Sequence, residues 1–278
     1  KKDENFFLIK QSDLLQLSVK KCKQLKKIKI FRCTPKEILN LEKKNNYNLI
    51  FNSQSNNILI RKFFAKSFKK DYDSTAFTTI INHKKISNNI AVQVFTKYGP
   101  LAFLPLSKDK TSIVFSVQKK FDLNLVEVKN EILKHSKKYD YIKSFNMERF
   151  DLKYSFPRKL VHKNIIVFGD ALHKIHPLAG QGFNMTLRDL KLISDIFDYK
   201  LNYGLEIDRS VLIEFKNRSQ HLNYIFGIGV NLINEFFIMD SKFNGKFSDN
   251  IFSLLDKNKF FKRSSISIAN KGLNFVTE

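Results

Sequence analysis

The chain has 278 residues, 43% of them hydrophobic, which suits a globular protein with one large core or two modest ones. No apolar run approaches the roughly 20 residues of a membrane span. A net charge of +23, from 49 Lys and Arg against 26 Asp and Glu, points on its face to nucleic acid or an anionic membrane, but no zinc-finger, RNP or helix-turn-helix pattern accompanies it.

The basicity is generic. Lys, Asn, Ile and Phe abound, Gly and Pro are scarce and Trp is absent, the signature of an AT-rich coding sequence. The lysines are spread along the chain, with only short clusters such as Lys20-Lys21 and Lys26-Lys27. No nucleic-acid partner is expected. A weak attraction to anionic lipid stays open. Cys22 and Cys33 have no His or Cys at ligand spacing and read as free thiols in a reducing compartment.

In chain order, Ser12 is a plausible N-cap for a helix to Cys22 through Leu14, Leu15, Leu17 and Val19. Strands are expected at Ile28–Arg32, Ile38–Glu42 and Tyr47–Phe51. Residues 75–117 are strand-rich: Ala76–Ile81, Ile90–Thr96, Leu101–Pro105 and Ser112–Val117 read as antiparallel strands joined by polar or Gly-Pro turns. An amphipathic helix is expected over Leu125–Tyr139, and strands at Phe150–Tyr154 and Ile165–Phe168. Helices follow at Asn184–Tyr199 and Arg209–Met239, then a short apolar helical tail. There is no internal repeat.

The most informative run is Gly169-Asp170-Ala-Leu-His173-Lys-Ile-His176-Pro177-Leu-Ala179-Gly180-Gln181-Gly182-Phe-Asn184, which closes with Asp189. An apolar strand ends at Gly169, an acid follows at once, and a loop with Pro177, Gly180 and Gly182 opens a helix at about Asn184. That order places a carboxylate and a helix N-terminus beside a ligand. The free N–H groups of the first turn and the helix dipole favour negative charge there. Taken alone, Asp170 could be a turn or capping acid, Gly180 and Gly182 ordinary turn glycines, and Asn184 a helix cap. His173 and His176 suggest a metal pair, but no acid or Cys sits at matching spacing, so no metal is expected.

The run resembles the GD-x-x-H-x-x-HP-x-AGQG-x-N-x-x-x-x-D signature of FAD-dependent aromatic hydroxylases, above all the UbiH-like ubiquinone-biosynthesis hydroxylases. A second stretch, Phe95-Thr-Lys-Tyr-Gly99-Pro100-Leu-Ala-Phe-Leu-Pro105-Leu, is similar to the family's F-x-x-x-GPLA-x-LPL strand pair. The resemblance implies an α+β fold: part of a GxGxxG-type FAD-binding domain interleaved with an antiparallel substrate-binding sheet, and a helical C-terminus. The expected partition is residues 1–74 and 156–200 for the FAD-binding domain, 75–155 for the substrate sheet and 201–278 for the helical end. The family's G-x-G-x-x-G, which binds the ADP half of FAD, does not occur, so the expectation is an N-terminally incomplete chain lacking roughly a hundred residues, about one small domain.

The resemblance also implies the site. Gly169, Asp170, Pro177, Ala179, Gly180, Gln181, Gly182, Asn184 and Arg61 would contact the cofactor. Asp170 would accept hydrogen bonds from the ribityl hydroxyls, and the Gly180–Gly182 backbone would face the flavin pyrimidine edge, where negative charge grows on reduction. Residues 52–61 fall on the family's G-A-D-G-x-x-S-x-x-R segment, of which only Arg61 is kept. Asn52 and Ser55 stand at the glycines, Gln54 at the Asp and Ile58 at the Ser. The implied activity is FAD-dependent monooxygenation of an aromatic ring of a ubiquinone precursor, with NAD(P)H as electron donor. The residues single out no catalytic base. A catalytically degraded relative, acting as a non-enzymatic partner in a quinone-biosynthesis complex, is the alternative. The expected location is cytoplasmic, with a peripheral station at the inner membrane face left open.

Overall fold

Alternation of side chains builds the larger of two sheets. The computed structural model describes residues 8–43, 47–140, 146–174 and 181–241. Contacts divide them into two units, one of 8–32 with 73–151 and one of 33–72 with 152–241, as far as described.

In the first unit a helix, α1 (Gln11–Gln24), precedes most of a five-stranded sheet. Its strands are β2 (Ser67–Asn82), β3 (Val92–Thr96), β4 (Gly99–Ser107), β5 (Lys110–Gln118) and β6 (Glu148–Pro157), in the order β3-β4-β5-β2-β6. The β3/β4, β4/β5 and β2/β5 pairs are antiparallel. Every second residue faces one side. Phe77, Ile81, Leu101, Phe103, Ile113, Phe115 and Val117 are all buried on that side, with Val128 and Ile132 of helix α4 (Leu125–His135). Gly99 carries the Gly-Pro-Leu-Ala stretch. A Cβ there would stand 2.1 Å from the Ser116 carbonyl oxygen, and its φ of +144° suits glycine alone. Helix α4 starts in a reciprocal cap between Asn124 and Glu127 and stops at Ser136, short of the expected Tyr139.

The second unit holds β1 (Ile50–Asn52), α3 (Ile58–Phe63), β7 (Val161–His162), β8 (Ile165–Val167), α5 (Gln181–Asn202) and α6 (Arg209–Ser241), after α2 (Pro35–Lys43). Its sheet runs β1-β8-β7, with β1 parallel and β7 antiparallel to β8. Ile165, Ile166 and Val167 are fully buried, and Leu59, Phe64, Ile193, Ile196, Val211, Leu212 and Phe215 close the core around them. Among the described residues no helix is long and apolar enough to cross a membrane.

Three expected elements change. Residues 28–32 form no strand, and Ile28, Ile30 and Phe31 stay exposed: alternation makes a strand only where a neighbour supplies backbone partners. Ile38–Glu42 is helix, not strand. Thr34 and Glu37 cap each other around Pro35, a Thr-x-x-Glu signal with proline at the first helical position. Helix α5 begins at Gln181, about one turn before Asn184, and the tail beyond Ser241 lies outside the described residues.

Candidate functional site

Because β1 and β8 are parallel, their C-terminal ends open on the same edge, the place where ligands bind to such sheets. The Phe168 N–H donates to the Asn52 carbonyl at 2.9 Å and carries the pairing one residue past the strands. Gly169 then takes a left-handed φ of +53° and starts a short 3-10 turn, Gly169–Ala171. A Cβ at Gly169 would meet Thr186 Cγ2 at 3.7 Å and Ser53 Cβ at 3.8 Å, which is ordinary contact. The backbone conformation, not crowding, therefore calls for glycine. Gly169 thus joins the end of β1, the end of β8 and the start of α5.

This turn sorts its side chains sharply. Gly169, Ala171, Leu172 and His173 are buried, while Asp170 is exposed. The Gly169 carbonyl accepts from the Leu172 and His173 N–H groups at 2.9 and 3.0 Å, and Lys174 exchanges two backbone hydrogen bonds with Ser155 of β6. The strand end thereby presents one carboxylate from a rigid base.

Helix α5 supplies the second component. Gln181 and Gly182 lie in its first described turn; the opening N–H groups of a helix point along its axis and favour negative charge. Asn184 is exposed, and its carbonyl accepts from Arg188 Nε at 3.3 Å. Burial holds the Arg188 guanidinium below its usual range, opposed by the charge of Asp189. Gly182 has helical backbone, so its conformation does not require glycine; among the described residues of this run, Gly169 is the left-handed one. Pro177, Ala179, Gly180 and His176 lie outside the described residues.

The first turn of the pair, after β1, is closed on itself. Asn52 is buried; its side-chain amide donates to the Gln54 carbonyl at 3.3 Å, and its oxygen accepts from Asn57 at 2.5 Å. Asn57 also caps α3 by accepting from the Ile60 N–H at 3.1 Å. Arg61 is exposed in the last turn of α3.

The sequence reading missed a buried polar chain behind the site. His173 Nε2 lies 3.0 Å from Asp189 Oδ2, and the Asn223 amide donates to Asp189 Oδ1 at 2.9 Å. The His173 and Asp189 side chains are 1% and 4% exposed. No local spacing announces these partners, since residues 173, 189 and 223 sit on three different segments.

No family model matches the chain. Among curated proteins it is similar to the 3-demethoxyubiquinol 3-hydroxylase of Escherichia coli, at 31% identity over 147 residues, 50% of this chain and 38% of that protein. It is also similar to the mitochondrial ubiquinone biosynthesis monooxygenase COQ6 of Danio rerio, at 23% identity over 220 residues, 64% of this chain and 46% of that one. Both matches thus span less than half of the relative's length. The resemblance to ubiquinone-biosynthesis hydroxylases drawn from the strand-end motif is borne out by these matches. Among solved structures, p-nitrophenol 4-monooxygenase of Pseudomonas putida superposes with a TM-score of 0.64 at 14% identity, over 80% of this chain and 59% of that one. Klebsiella pneumoniae HpxO, solved with FAD and uric acid, gives 0.57 at 12% identity, over 81% and 59%. At such identities the likeness concerns the fold, and the mixed architecture with its antiparallel sheet matches that of flavin-dependent monooxygenases.

Proposed function

We propose that this chain is part of an FAD-dependent monooxygenase that hydroxylates an aromatic ring of a ubiquinone precursor. The observation that carries the reading is the strand-end turn: left-handed Gly169 and exposed Asp170, beside the end of a parallel strand. The curated relatives, named as ubiquinone-biosynthesis enzymes, support the substrate class. FAD, when bound, would supply the redox and oxygen chemistry, with NAD(P)H as the donor. The chain's own residues bind and orient. Asp170 accepts hydrogen bonds from the ribityl hydroxyls. The N–H groups of Gln181 and Gly182, with the α5 dipole, stabilise negative charge on the flavin pyrimidine edge. Asn184, Arg61 and the segment with Pro177, Ala179 and Gly180 complete the contact set. The five-stranded sheet, most of it within 75–155, floors the aromatic substrate, while 1–74 and 156–200 serve the flavin. A lipid-soluble substrate and the chain's basicity together favour a weak, peripheral station at a membrane surface from the cytoplasmic side.

The closed turn at Asn52–Asn57 favours a second reading, a degraded relative that serves as a non-enzymatic partner in a quinone-biosynthesis complex. Two measurements on the complete protein separate them: flavin absorbance after purification, and NAD(P)H oxidation stimulated by a phenolic quinone precursor. Bound flavin with stimulated oxidation supports the enzyme. A colourless protein that still joins a complex of quinone-biosynthesis proteins rejects it. This chain by itself, without a G-x-G-x-x-G turn for the pyrophosphate, should bind FAD only weakly; micromolar or better affinity in a titration would contradict that.

A further inference from the structure

We propose that Asp189 is a positioning residue for the strand-end turn: through His173 on one side and Asn223 on the other it fixes the direction of the Asp170 carboxylate. The inference rests on the reading that Asp170 meets the flavin. Three pieces of the second unit, α6, α5 and the strand-end turn, are linked in series. Asn223 of α6 donates to Asp189 of α5, and Asp189 accepts from His173. His173 belongs to the same turn as Asp170, since its N–H and that of Leu172 both close on the Gly169 carbonyl.

The chemistry fixes the direction of each bond. A carboxylate only accepts, so His173 Nε2 carries the proton, and each Asp189 oxygen receives one donor. Asp189 is 3% exposed and His173 3%, so neither exchanges its partner for water without opening the core. An apolar contact in this place would hold the turn against α5 while letting it slide or rotate. Directional bonds among buried groups leave one arrangement. The link also ties His173 to the third turn of α5.

The test uses the complete flavin-binding protein with Asp189→Leu, Asp189→Asn and Asn223→Ala, and with Phe215→Leu as a destabilised reference from the same core. Two readouts are compared: amide hydrogen exchange at Leu172 and His173, and FAD affinity. Asp189→Leu should speed exchange at those two amides by about tenfold or more while Ile165–Val167 stays protected, and weaken FAD by about tenfold. Asp189→Asn still accepts from His173 and meets the Asn223 amide after it flips, so it should recover most of both. Should Asp189→Leu not fold, Asn223→Ala should show the same local pattern at smaller size. Unchanged exchange at Leu172 and His173, an Asp189→Asn protein as impaired as Asp189→Leu, or the same pattern in Phe215→Leu would overturn the proposal. If the wild type bound no FAD, the flavin reading would fall, and the exchange arm would still decide whether Asp189 holds the turn.

Discussion

Two strand-to-helix passages lie side by side in one sheet and have met different fates. After β8, the chain uses a left-handed glycine, exposes one acid and buries the residues on both sides of it. After β1, where the resemblance leads one to expect glycines and an aspartate, it has Asn52, Gln54 and Ser55, and their neighbourhood is tied up internally by Asn57. Both passages lead to a helix, α3 after β1 and α5 after β8. Only the first leaves a charged group free to meet a ligand. Folding of a turn and competence of a turn are thus separate requirements, and the second is lost more easily because packing does not enforce it.

The widest gap between the passages should come from Gly169→Val. A β-branched residue at φ +53° is strained, costing about 1–3 kcal/mol, and flavin retention should fall with it. Thermal denaturation together with flavin absorbance checks this, and a variant as stable and as yellow as the wild type would refute it. Asp170→Ala should act on binding alone. The residue is exposed, so the melting temperature should hold. Loss of a charge-assisted hydrogen bond, worth about 1.5–3 kcal/mol, should lower FAD affinity by about tenfold or more in the complete protein. Unchanged flavin retention would remove Asp170 from the site.

The opposite behaviour is expected after β1. Asn57→Ala deletes the α3 cap and the partner of buried Asn52, so stability should drop by about 1 kcal/mol in denaturant titration. FAD affinity should stay within about twofold, since this turn offers the ligand little. A flavin loss as large as that of Asp170→Ala would show that the two passages act together. The smallest effect belongs to Gln54→Ala, an exposed position whose side chain should contribute within about ±0.5 kcal/mol and nothing measurable to flavin binding.

Much of this was legible in the residues. The strands of the antiparallel sheet followed from alternation, and Gly99 from its Gly-Pro step. The run from Gly169 to Asp189 carried the resemblance that the curated relatives support. The errors had local causes. Thr34-Pro-Lys-Glu37 is a helix start, and the apolar residues after it were taken for a strand. Gly182, expected in the loop before the helix, is helical, and among the described residues of the run Gly169 takes the left-handed backbone.

The sequence by itself determined what depends on neighbours along the chain: the alternation of the antiparallel strands, the apolar run of β8, and the helical spacing of α1, whose cap is Lys10 and not the expected Ser12. These are short-range matters of sterics and hydrogen bonding, and a few consecutive residues settle them. The tertiary structure decided the rest. It left Ile28–Arg32 without a strand partner, because a ladder exists only when a second strand arrives. It joined His173 to Asp189 and Asn223, 16 and 34 residues further on in succession, because burial forces polar groups to find each other wherever packing brings them. It also made Asp170 the exposed acid of an otherwise buried turn, and that depends on which elements cover its neighbours.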